Sequence, residues 1–120
     1  MRPSGLAIAF GVGRVLFGAA MLAVPGQITR AWVGAEDAPA VVLARCLGGR
    51  DIVLGAGLAV AAGRGGDPRP WLAGGVLADT VDGIATLAAG GYIPRNGRIA
   101  TTALAGGSAL FGACLARAVD

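Results

Sequence analysis

Histidine and lysine are absent from this 120-residue chain, aromatic residues make up only 5% of it and charged residues 14%. Without histidine there is no bis-His haem ligation, no His-based zinc site and no Ser-His or Cys-His nucleophile. The two cysteines, Cys46 and Cys114, each stand in an apolar stretch with no second Cys or His at ligand spacing. They read as buried small apolar residues, and neither a metal nor a cofactor is expected. The ten basic residues are all arginine, which with abundant Ala, Gly and Val reads as the bias of a GC-rich genome. The arginines are dispersed, several inside apolar runs, with no basic stripe interleaved with aromatics, so nucleic acid is excluded as a partner.

What the chain does have is apolar surface. Hydrophobic residues are 55% and the mean hydropathy is +0.70, more than a soluble domain of this length needs to fill a core. The lipid bilayer is the expected solvent, and residues 1–120 form a single membrane domain. Stretches such as 99–116, IATTALAGGSALFGACLA, carry no charge. At about 1.5 Å per residue, that length nearly crosses a hydrocarbon core of roughly 30 Å.

The pattern predicts an all-α, integral membrane, up-down bundle of four transmembrane helices, with spans at about 5–24, 40–62, 71–90 and 99–119. The first ends at Pro25-Gly26, and the charge of Arg14 at its centre argues against a cleaved signal peptide, whose apolar region is uncharged. Residues 27–39 mix Trp32 with Arg30, Glu36 and Asp37, as suits a connection at the lipid headgroups with room for one interfacial turn. The loops 63–70 and 91–98 lead to or from Trp71 and Tyr92, both at expected interfaces. Connections this short make neighbouring helices antiparallel. Arg2, Arg64, Arg69 and Arg117 then share one side against Arg30, Arg95 and Arg98 on the other, a small excess that places both termini in the cytoplasm.

Charge at mid-membrane depth is the informative feature. Arg14 in the first span, Arg50 and Asp51 in the second, and Asp79 and Asp82 in the third can meet at one level. With Arg45 a turn away, three arginines would face three aspartates and the set would neutralise itself. A lone charge at the bilayer centre costs roughly 2.5–3.5 kcal/mol on insertion scales, so all should turn inward and pair. Asp79 and Asp82 lie about 60° apart on a helix and share a stripe with Gly75, Gly83 and Thr86. Ala7, Gly11, Arg14 and Gly18 form a matching stripe, so Arg14 is expected to face Asp79 and Asp82. Arg45, Arg50 and Asp51 point in three directions on an ideal helix, which implies a kink or unwinding at Gly48-Gly49 or an Arg45 that reaches the interface. The GxG triplets at 11–13 and 55–57 read as close helix packing and not as phosphate loops. Thr101, Thr102 and Ser108 are expected to bond to backbone carbonyls.

The succession GRVLFG, Pro, WVG, LARCLGGRDIVLGAGL and PWLAGGVLADTVDG resembles small four-helix membrane proteins of actinobacteria grouped as a domain of unknown function. More distantly it looks like the DoxX-type membrane subunits. The likeness spans nearly the whole chain, and Arg45, Leu47, Gly48, Arg50 and Asp51 are its most specific part. It implies topology and no established activity. Small multidrug transporters are similar in size and helix count, but where they carry a first-span glutamate this chain has Arg14.

Three functions compete. The first is a non-enzymatic accessory or assembly component, its 22 glycines suiting contact with a second copy or a membrane partner subunit. The second is a membrane-embedded acid–base enzyme of isoprenoid cyclase or isomerase type, with Asp79 or Asp82 as the catalytic candidate. The third is a small proton-coupled transporter using the same acids.

Overall fold

A computed structural model describes residues 2–119. Among them the regular structure is helical: α1 (Pro3–Ala23), α2 (Pro25–Val33), α3 (Ala38–Gly63), α4 (Arg69–Ala89), a 3-10 turn (Gly90–Tyr92) and α5 (Arg95–Ala118). Proline sets these boundaries. All six prolines stand at helix starts, where the fixed φ suits the first turn and the missing N–H is no loss. The long helices therefore begin at 3, 38, 69 and 95, ahead of the expected 5, 40, 71 and 99. Pro25 also ends α1, holding Val24 outside helical geometry at φ −131° and ψ 53°. Asp37 caps α3, its carboxylate accepting from the Ala40 N–H at 3.1 Å.

The connection expected over 27–39 contains a helix of its own. Proline at the start of α2 and Gly34 at its end, in the left-handed region at φ 74°, define nine residues that turn Pro25 and Thr29 inward. On the outer side Arg30 pairs with Glu36 at 2.5 Å, both largely exposed.

Among the described residues three segments are long and apolar enough to cross a membrane: α1, α4 continued through the 3-10 turn (Arg69–Tyr92), and α5. The 26-residue α3 is the longest helix and carries Arg45, Arg50 and Asp51. The distribution of side chains is inverted relative to a water-soluble bundle. α1 buries Ala7, Gly11, Arg14, Gly18 and Met21 while Leu16 is 65% exposed. α4 buries Leu72, Gly75, Asp79, Gly83 and Thr86 while Leu77 is 67% exposed. Water would drive such continuous apolar faces to aggregate, whereas lipid solvates them.

The long helices form two close pairs, α1 with α3 and α4 with α5. In the first, backbones touch: a Cβ on Gly11 would stand 2.5 Å from the Gly55 carbonyl oxygen, and one on Gly18 would stand 2.5 Å from that of Gly48. Only glycine permits this approach. α3 runs unbroken through Gly48-Gly49, so the helix does not unwind there, and Gly48 serves the contact with α1. In the second pair Gly112 receives Val76 and Gly83 lies against Ala105. An apolar cluster of Ala7, Leu58, Leu72, Leu115 and Val119 joins the pairs at one end. At the other end α2 bridges them: Trp32 Nε1 donates to Thr86 Oγ1 at 3.2 Å, and Gly97 packs on the Ala31 and Trp32 carbonyls.

Candidate functional site

Near the midpoints of the long helices the buried polar groups meet. Arg14 of α1 grips Asp79 of α4 as a fork, Nη1 donating to Oδ2 at 2.7 Å and Nη2 to Oδ1 at 3.1 Å. Its Nη2 also donates to Asp51 Oδ1 of α3 at 3.0 Å. A second fork joins Arg50 of α3 to Asp82 of α4, at 3.0 and 2.6 Å, with a longer 3.4 Å contact from Arg50 to Asp51 Oδ1. Ser108 of α5 donates to Asp79 Oδ2 at 2.7 Å. The planar guanidinium matches a carboxylate edge to edge, which makes these forks the strong form of the ion pair. Phe10 supports the centre, its ring 5.9 Å from the Arg14 guanidinium carbon and edge-on to Phe111 at 5.0 Å.

Accessibility divides the five charges. The side chains of Arg14, Asp51 and Asp79 are 7%, 9% and 10% exposed, those of Arg50 and Asp82 31% and 21%. The first three form a closed centre and the other two an accessible margin.

Several expectations change. Arg14 does face Asp79, but Asp82, rotated about 60° from Asp79, turns to Arg50 on the neighbouring helix. Arg45 is exposed and joins none of the ion pairs among the described residues, because five residues before Arg50 it is rotated about 140° away. The six-member neutral set is thus a five-member set of two arginines and three aspartates, with a formal charge of 2 − 3 = −1. Ser108, expected to bond to backbone, bonds to Asp79, and the hydroxyl of Thr102 is buried without a partner. Cys46 and Cys114 are exposed on outward faces and not buried, since the apolar stretches that hold them turn those positions away from the neighbouring helices.

Above the cluster lies a cavity of about 630 Å³. Its floor is Arg14, Arg50, Asp51, Asp79, Asp82 and Ser108, and its walls include Phe10, Phe17, Met21, Ile28 and Trp32. Ala9, Gly13 and Phe17 of α1 and Ala100 and Leu104 of α5 line it and are also exposed, so it opens sideways between α1 and α5. Volume and lining suit a small amphipathic molecule with a polar end. Among the described residues no three His, Cys, Asp or Glu side chains are placed to hold a metal ion.

No protein-family model, no curated protein and no solved structure matches this chain.

Proposed function

We propose that the chain crosses the plasma membrane four times as an up-down bundle, both termini cytoplasmic, and serves as a non-enzymatic accessory or assembly component. Its partner is a second copy or another membrane subunit. In this reading the Arg/Asp cluster is a clasp. The observation that carries it is that the forks Arg14–Asp79 and Arg50–Asp82 both cross from the α1/α3 pair to the α4/α5 pair. Lipid supplies little hydrophobic force between helices, so charge pairing and close glycine contact hold the pairs in register. α3 counts as the fourth span because Arg50 and Asp51 are paired internally and Arg45, about two turns from the helix start, lies within reach of the headgroups. The likeness to small actinobacterial bundles, distantly DoxX-like, belongs to the same reading.

Topology reporters fused to the two termini test the span count: four crossings put both on one side, three put them on opposite sides. Asp79→Asn and Asp82→Asn, alone and together, test the clasp, and each is expected to lower membrane level and melting temperature. One observation favours a second reading: Asp82 is the more accessible acid and borders the apolar cavity. A stable, well-expressed Asp82→Asn would put the acid–base enzyme or the proton-coupled transporter ahead of the clasp.

A further inference from the structure

With all three acids ionised the cluster carries a formal −1, and the excess falls on Asp51. Both oxygens of Asp79 and both of Asp82 are engaged by guanidinium forks. Asp51 receives Arg14 and Arg50 on the same atom, Oδ1, and its Oδ2 accepts from none of the described residues. This side chain is nine-tenths buried and lines the cavity. Asp51 Oδ2 is open to the cavity, and in a set carrying a formal −1 it can take a donor that also carries positive charge, while the orphaned Arg14 Nε and Arg50 Nε lie buried on the protein side. The space beside it is walled by Phe10, Phe17 and Trp32, faces that attract an organic cation and offer no ligands to a hydrated metal ion. The mouth lies among exposed small and apolar residues of α1 and α5.

We infer that the cavity binds an amphipathic ammonium ion, a protonated amine with an apolar body. It enters from the bilayer between α1 and α5, donates an N–H to Asp51 Oδ2, and lays its apolar body along Phe10, Phe17 and Leu104. Binding brings the cluster to neutrality and leaves both inter-pair forks in place. This goes beyond the clasp, which needs no ligand.

Trp32 lines the cavity and reports occupancy once Trp71 is replaced by Phe. In phosphatidylcholine nanodiscs at neutral pH, three probes with the same bromodecyl chain are compared: the dimethylamine, the alcohol and the carboxylate. Bromine quenches tryptophan at short range, and the alcohol sets the background from the lipid phase. The amine is expected to quench Trp32 saturably and at least tenfold more tightly than either of the others. Asp51→Asn, which keeps Oδ1 as an acceptor and balances two arginines with two aspartates, is expected to bring the amine down to the alcohol's level. Gly13→Phe offers a route that leaves the charges alone: Gly13 lines the mouth, no atom lies within 4 Å of a Cβ there, and the added ring fills the entrance. It is expected to abolish amine quenching, and it decides alone if Asp51→Asn does not fold. Equal quenching by amine and alcohol, or undiminished amine binding in either variant, overturns the inference. The clasp is judged on the thermal stability of the Asp79 and Asp82 variants, so either reading can fail without the other.

Discussion

Replacing Arg14 by Met removes the guanidinium that Asp51 and Asp79 share. Asp79 is left with only the Ser108 hydroxyl, Asp51 with only the 3.4 Å contact to Arg50, and the formal charge of the cluster goes from −1 to −2. Breaking a buried pair by deleting one partner costs about 3–5 kcal/mol, because the abandoned charge stays buried. Asp79→Asn removes the other partner but keeps an acceptor, and takes the cluster to formal neutrality, so a smaller loss of about 1–3 kcal/mol is expected. In the double variant Arg50 faces Asp51 and Asp82, and 1 − 2 restores the parental −1. Of the two carboxylates that Arg14→Met strands, that of Asp79 is then gone. The double variant should therefore lose at least about 2 kcal/mol less than the sum of the single losses. Denaturant titration in mixed micelles, followed by helical circular dichroism, measures all four corners of the cycle. Losses that add within about 0.5 kcal/mol would mean that Arg14 and Asp79 act independently, and the account of the clasp would be wrong.

Two further outcomes test the packing. Gly11→Ala drives a methyl into the Gly55 carbonyl and should cost about 1–3 kcal/mol, whereas Gly13→Ala two residues on enters open space and should be neutral or raise the melting temperature. Cys46 and Cys114 should both react with a lipid-soluble alkylmaleimide in the folded protein. Protection of either until the chain is unfolded would show that its helix face has been placed wrongly.

The membrane character, the helical class, and which face of each helix carries polarity follow from local order along the chain. The stripe of Ala7, Gly11, Arg14 and Gly18 on α1, and of Gly75, Asp79, Gly83 and Thr86 on α4, are consequences of 3.6-residue periodicity and turn inward as that periodicity requires. The cost of charge in lipid makes it legible without coordinates that Arg14 and the aspartates must pair. The partners were not legible. Whether Asp82 meets Arg14 or Arg50 depends on how α3 and α4 are rotated about their own axes, a quantity that no single segment contains. The same holds for Ser108, whose hydroxyl reads as a backbone ligand until α5 is laid beside α4. It holds again for Arg45, whose exclusion turns a neutral set into one with a formal charge of −1. α2 was legible only as one interfacial turn, because Pro25-Gly26 carries two meanings, the end of one helix and the first turn of the next, and the capping glycine that settles it lies nine residues beyond Pro25. The cavity was the least accessible of all to sequence reasoning. It is the space left where α1 and α5 fail to close, and it exists only because glycine contacts draw α1 onto α3 while α5 follows α4.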